Sequence, residues 1–314
     1  MLRHLGYAAA TQTFDASTTR TCRPQDATPD LVRSLIGDNL RDLSRIVRFH
    51  DEQGIHLYRV SSQVIPFASH PGNAIAWWDE FAGDLEAIGR YLRLHGLRLT
   101  MHPGQHTLLN APGPETVALS ILELGWHVRL FDAMQADHTH KLVLRVGGTF
   151  GDKAGSLDRF VSVVAALPAS WKARLAVEND DSRYRVDDVL EVSDRLGIPV
   201  VFDWVHHHAN PGDNPDPARL IGLCFDTWKP NDGPPLVHFS SPSQNPGERI
   251  LHADWVEPDD LEALLEHTPA DVPFDCLLEA TQGDRALFDL RERMALREAG
   301  KAPGLGDARY PRVF

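Results

Sequence analysis

Histidines and carboxylates that could hold metal ions recur along this chain, each at the end of a short apolar run. In order they are His102 in His102-Pro103-Gly104-Gln105, Glu178 in Glu178-Asn179-Asp180-Asp181, Asp203 followed by His206-His207-His208, then His238 and Glu279. Arg145 stands in a comparable place before Gly147-Gly148. One such residue alone is ordinary polarity at the edge of a fold. Several in succession are different, because crowded carboxylates repel and resist ionisation, and bound cations remove that cost. Mixed imidazole and carboxylate suits Mn, Zn or Fe, whereas an all-oxygen set would suit Mg or Ca. Glu178 and Glu279 are placed to bridge two ions, and Asp203 and His206 could bind different ions from one turn. Paired ions a few ångströms apart activate a water and stabilise in-line displacement at phosphorus. His207 and His208 are not needed as ligands, while His252 with Asp254 forms a further candidate pair.

These residues require elements that bring them together. Short apolar runs alternate eight times with amphipathic windows. Strands are predicted at Leu5–Ala9, Ile55–Ser61, Leu97–Met101, Leu142–Val146, Leu175–Glu178, Pro199–Asp203, Leu236–Ser240 and Cys276–Glu279. Helices are predicted at Pro29–His50, Ile75–His95, Glu115–Ala136, Leu157–Leu167, Val186–Leu196, Pro217–Phe225, Asp259–His267 and Arg285–Arg297. Eight β–α units could build an open doubly wound sheet, but the glycine fingerprint of such sheets is replaced by Ala8-Ala9-Ala10-Thr11 after the first strand. The expected architecture is therefore a closed (β/α)₈ TIM barrel, whose strands deliver their carboxyl ends to one mouth.

At 314 residues without a compositional shift, the chain reads as one domain over 1–299, with an irregular Pro- and Gly-rich extension over 300–314. No stretch long enough to cross a bilayer is free of charge. The N-terminus lacks the apolar core of a secretory signal, and Cys22, Cys224 and Cys276 are too scattered for a disulfide framework, so the cytoplasm is expected. The formal charge of −13 disfavours broad coating of nucleic acid. Much of the acidity lies in the stretches Asp79 to Glu86 and Glu257 to Glu266, which leaves room for a confined basic groove.

The ordered set of motifs resembles the UV damage endonucleases, relatives of the abasic-site nuclease endonuclease IV. It comprises Leu5-Gly6-Tyr7, Ser69-His70-Pro71, His102-Pro103-Gly104-Gln105, Val146-Gly147-Gly148 with Gly151-Asp152-Lys153, and Glu178-Asn179-Asp180-Asp181. It continues with Asp203 and His206-His207, His238-Phe239-Ser240-Ser241, His252-Ala253-Asp254 and Leu278-Glu279-Ala280. The resemblance implies metal ligands at His102, Glu178, Asp203, His206, His238, His252 and Glu279, with Mn²⁺ the expected ion. It implies incision of duplex DNA 5′ to a UV photoproduct, with Gln105 and His106 probing the gap opposite a flipped lesion. A cross-linked pair is cheaper to unstack than an intact one.

Three positions depart from the family pattern. Arg145 stands where the family has His, Leu236 where it has a Lys that is often carboxylated, and Thr281 where a Lys follows Glu-Ala. Arg cannot ligate a metal, so two ions are expected rather than three. Arg145, Lys229 and Arg249 are candidate phosphate contacts, and His70 could reach the scissile phosphate or a metal. Tyr7 could stack on a base or close the bottom of the pocket. The expected protein is a monomeric, metal-dependent phosphodiesterase acting on damaged double-stranded DNA. The alternatives are a sugar isomerase or epimerase on the same barrel type and a homologue that binds lesions without cutting. The long polar segment Ser240 to Asp254 suits a DNA-facing rim better than a small enclosed pocket.

Overall fold

Strands buried on both faces need no polar alternation, and the eight runs are apolar throughout because each lies between a barrel interior and a helical coat. The computed structural model describes residues 1–8, 11–70, 75–213, 215–243 and 252–299. Its strands are β1 (Leu2–Ala8), β2 (Leu57–Val60), β3 (Arg98–Met101), β4 (Lys141–Leu144), β5 (Leu175–Glu178), β6 (Val200–Asp203), β7 (Leu236–Phe239) and β8 (Phe274–Leu278). They close in sequence order into one barrel in which β1 pairs with β8 and neighbouring strands run parallel. The helices are α1 (Pro29–Glu52), α2 (Trp77–Glu80), α3 (Ala82–His95), α4 (Pro114–Ala133), α5 (Lys153–Ala165) and α6 (Ala169–Lys172). They continue as α7 (Val186–Leu196), α8 (Trp204–Ala209), α9 (Pro217–Asp226), α10 (Pro258–Glu266) and α11 (Asp284–Glu298). This is the expected TIM barrel.

Side chains of a strand alternate between its two faces, so every second residue points into the barrel. The middle of the interior is filled by Leu57, Val143, Ala176, Val201, Leu236 and Leu277, all buried. Two residues earlier, at the end where strands begin, Lys141 and Asp275 point inward beside Arg98. Arg98 meets Asp275 at 2.9 Å and Lys141 meets Asp232 at 2.6 Å, so these buried charges are paired. Two residues later, at the end where strands finish, the same register delivers Arg59, Arg145, Glu178, Asp203, His238 and Glu279. The offset of two from an apolar layer is what gathers the polar residues at the mouth. Close approach of β1 and β2 is possible because Gly6 has no side chain: a Cβ there would stand 2.1 Å from the Leu57 carbonyl oxygen.

β5 and α7 fall where expected, β1 begins three residues earlier than expected, and the other strands differ by a residue or two at their ends. The single helix expected over Ile75–His95 is divided at Phe81, whose ψ of 22° breaks the helical path between α2 and α3. α5 begins at Lys153, ahead of the expected Leu157, because the Asp152 carboxylate accepts the Gly155 N–H as an N-cap. α6 and α8 are too short for a periodicity signal. The tail expected over 300–314 lies outside the described residues.

Candidate metal centre

β5, β6, β7 and the end of β8 set Glu178, Asp203, His238 and Glu279 around one point, each offering a ligand atom within 4.8 Å of the others. Glu178 is the hub. Its Oε1 accepts from His102 Nε2 at 2.8 Å and from Arg145 Nε at 2.7 Å, and its Oε2 accepts from His238 Nδ1 at 2.6 Å. His206 reaches Asp203 at 3.0 Å and His252 reaches Glu279 at 3.3 Å. The seven expected ligands therefore converge on one centre. His207 and His208 turn elsewhere, to the carbonyls of Pro215 and Trp204, and stand outside it.

Two guanidiniums enter this cluster of three carboxylates. Arg145 reaches it from the end of β4, and Arg59 reaches it from β2, meeting Glu279 at 2.5 Å and donating to His238 Nε2 at 2.8 Å. Sequence reasoning missed Arg59. Its signal was its register: it follows the inward-facing Leu57 by two, as Arg145 follows Val143. Burial works against ionisation of Glu178, yet His102 and Arg145 hold its carboxyl well below the usual carboxylate range. Glu279, equally desolvated, is held low by Arg59 and His238. No guanidinium bonds Asp203: burial, aided by Glu279 and Glu178, raises it to about 7 against the pull of His206. Burial lowers His238 to about 4, so its ring is neutral, donating through Nδ1 and accepting through Nε2.

The arrangement fits a cation. Asp203 Oδ2 and Glu279 Oε1 are buried and accept no well-aligned hydrogen bond among the described residues, although His206 and Arg59 stand close by. Buried carboxylate oxygens without aligned donors carry a desolvation cost, and a divalent ion supplies the missing partner. The imidazoles are also oriented for it: Nδ1 of His102 lies against the Pro103 carbonyl and Nδ1 of His206 against the Asn179 carbonyl, so Nε2 of each faces the centre, where Glu178 and Arg145 meet them.

A second layer holds the ligands in place. Asn179 Nδ2 donates to the Asp203 carbonyl at 3.0 Å while its Oδ1 accepts the Asp203 N–H at 2.9 Å, locking the ends of β5 and β6 together. Ser62 donates to the His102 carbonyl at 2.8 Å and shares a 2.9 Å hydrogen bond with the buried His127. Asn179→Ala is expected to weaken binding of a divalent cation at this centre about 10- to 100-fold, the usual scale for outer partners of a metal site. Isothermal titration of the variant against the unaltered protein checks this, and equal affinities would deny Asn179 its positioning role.

A cleft of about 580 Å³ opens beside the centre, lined by His102, Gln105, His106, Arg145 and Arg183 among others. Gln105 and His106 are exposed on it. Two other expectations, for Tyr7 and Lys229, are corrected. Tyr7 is 0 % exposed, with its hydroxyl 2.7 Å from His50 Nε2 of α1. Lying between the inward-facing Gly6 and Ala8, it points to the helical coat and can neither stack on a base nor close the pocket. Lys229 follows α9 and precedes β7, so it lies at the opposite end of the barrel from the mouth and bonds the Gly197 carbonyl there. His70 is exposed, its ring edge-on to Phe67, and it is not among the four clustered ligands. Arg249 lies outside the described residues.

A family model described as UV-endonuclease UvdE matches residues 1–307. A UV DNA damage endonuclease of Bacillus pumilus (strain SAFR-032) is 35% identical over 269 residues, covering 85% of this chain and 84% of the relative. One of Clostridium perfringens (strain 13 / Type A) is 35% identical over 237 residues, covering 75% of this chain but 58% of that longer relative. Among solved structures, SacUVDE superposes with a TM-score of 0.85 at 30% identity, covering 95% of this chain and 99% of the other.

Proposed function

This chain belongs to the UV-endonuclease UvdE family, and from that premise we propose that it is a metal-dependent DNA-repair endonuclease that incises duplex DNA on the 5′ side of UV photoproducts. The observation that carries the reading is the buried quartet of Glu178, Asp203, His238 and Glu279 at the mouth of the barrel, with carboxylate oxygens that lack aligned donors. Two divalent ions, Mn²⁺ in this reading, would be held by that quartet with His102, His206 and His252, and when bound they supply an activated water and charge stabilisation at phosphorus.

The chain's own residues do the rest. Arg145 is anchored through Nε on Glu178 and through Nη2 on His206 while its side chain stays 42% exposed toward the cleft, so Nη1 is left for a phosphate oxygen. Gln105 and His106 face the same cleft and would fill the space left by an unstacked base. Two divalent charges added to two guanidiniums outweigh three carboxylates, so the loaded centre is locally positive. That attracts a phosphodiester in spite of the −13 formal charge of the whole chain. A monomer acting in the cytoplasm belongs to the same proposal; no helix among the described residues is long and apolar enough to cross a membrane.

The test is nicking of an end-labelled duplex carrying one UV photoproduct, with Mn²⁺ and with chelator. A cut immediately 5′ to the lesion that requires the metal is the expected result. Lesion binding with no cut under any divalent ion would make the protein a lesion sensor. Neither cutting nor binding would redirect attention to a small-molecule isomerase.

A further inference from the structure

Phe150 lies in the loop between β4 and α5, on the same face of the barrel as the candidate metal centre, and the residue is 47% exposed. Its backbone φ is +46°, a left-handed conformation that a bulky residue adopts only under strain. The surrounding loop over-determines that conformation. Gly147 and Gly151 also have positive φ, at 112° and 80°. The Gly148 carbonyl accepts from Asn110 Nδ2 at 2.6 Å and from the Tyr184 hydroxyl at 3.0 Å. The Thr149 carbonyl accepts from Ser156 Oγ at 2.6 Å and from the Asp152 N–H at 2.8 Å. The ring rests over Gly148, where an added Cβ would come within 2.9 Å of it.

Folding gains little from this arrangement. An aromatic ring is left half in water, and a strained backbone is pinned so that it stays there. Such outliers concentrate at sites that bind. The occupant follows from the neighbourhood: Gly147 of the same loop lines the cleft with Gln105, His106, Arg145 and Arg183, and with Asp180 and Asp181, a polar wall whose amide, imidazole and guanidinium donors suit a nucleotide. A flat apolar face beside such a wall suits a nucleobase, and aromatic rings stack on bases of any sequence.

We infer that Phe150 is a stacking residue that supports an unstacked base of the distorted duplex on the rim of the cleft. This rests on the nuclease reading and adds a contact to it, supplied from the loop after β4 instead of the loop that carries Gln105 and His106. Where His106 lacks a large aromatic face, Phe150 supplies one.

The experiment is equilibrium binding by fluorescence anisotropy, in Mn²⁺, to a duplex with one photoproduct whose 5′ phosphodiester is replaced by an uncleavable methylphosphonate, and to its undamaged counterpart. Phe150→Ala is expected to bind the damaged duplex about 5- to 150-fold more weakly, while Phe150→Trp binds within about twofold of the unaltered chain. The thermal midpoint of Phe150→Ala should hold, and that of Phe150→Gly should hold or rise, because glycine adopts positive φ without strain. Undiminished lesion binding by Phe150→Ala overturns the inference. So does a parallel fall in binding and thermal midpoint, which would mark a structural role. If the unaltered chain shows no preference for the damaged duplex, the nuclease reading falls and this inference falls with it. If it shows one and Phe150→Ala keeps it, the inference alone is lost.

Discussion

Glu178→Gln should lower metal-dependent nicking of a photoproduct duplex by about 10³-fold or more, since a metal centre is asked to supply several kcal/mol of charge stabilisation at phosphorus. Glutamine has the shape of glutamate, so the packing around this fully buried side chain is retained and the change is chemical. Both carboxylate oxygens act as acceptors at once, from His102 and Arg145 on one side and from His238 on the other. Glutamine keeps one acceptor and turns an NH₂ group toward a donor or an ion. It also removes one of the three negative charges on which a divalent ion depends. Loss of nicking should therefore be matched by loss of most Mn²⁺ binding in isothermal titration, while the chain stays folded because Arg145 can turn to water. Nicking at the unaltered rate, or full Mn²⁺ affinity without nicking, would contradict the role of Glu178 as the hub of the ligand set.

The residues that failed expectation show what sequence carries and what it does not. The strands were legible because burial on both faces leaves long apolar runs, and the site was legible because each run ends in a residue that is costly to bury alone. What the runs conceal is their register. Counting in steps of two from Leu57, Val143, Ala176, Val201, Leu236 and Leu277 leads to Arg59 as directly as to Glu178, and it turns Tyr7 outward between Gly6 and Ala8. Residue type alone lent Arg59 no weight and Tyr7 too much. Lys229 shows the complementary error, since a positive charge says nothing about which end of a barrel holds it. Its place after a helix and before a strand does, because helices return the chain to the end where strands begin. Polar contacts between residues distant in sequence, such as Arg59 with Glu279 or Ser62 with His127, have no periodicity and become visible only when the barrel is closed.

Asp203→Asn should stabilise the metal-free protein near neutral pH by an amount of the order of a few kcal/mol, and should do the opposite once metal is present. Burial, with Glu279 and Glu178 nearby, raises the Asp203 carboxyl from 3.8 to about 7 in the folded chain. Between those values the folded state holds a proton that the unfolded chain has released. Stability from this group is thus greatest in acid and declines as pH rises through the window, reaching its full loss above about 7. Asparagine is neutral throughout, so the gap between variant and unaltered chain should open from pH 4 to pH 7. The substitution costs little locally: Asp203 Oδ1 caps α8 by accepting the His206 N–H at 2.8 Å, which asparagine does equally well, and Oδ2, though 3.0 Å from His206 Nδ1, accepts no aligned hydrogen bond. Saturating Mn²⁺ reverses the order, because an ion that binds the folded chain stabilises it in proportion to the logarithm of its affinity, and the variant lacks a ligand. Thermal melts across this pH range, with chelator and with Mn²⁺, should therefore cross. A gap independent of pH would mean that Asp203 is ionised at no cost, and a full Mn²⁺-induced rise in the variant would remove Asp203 from the metal centre.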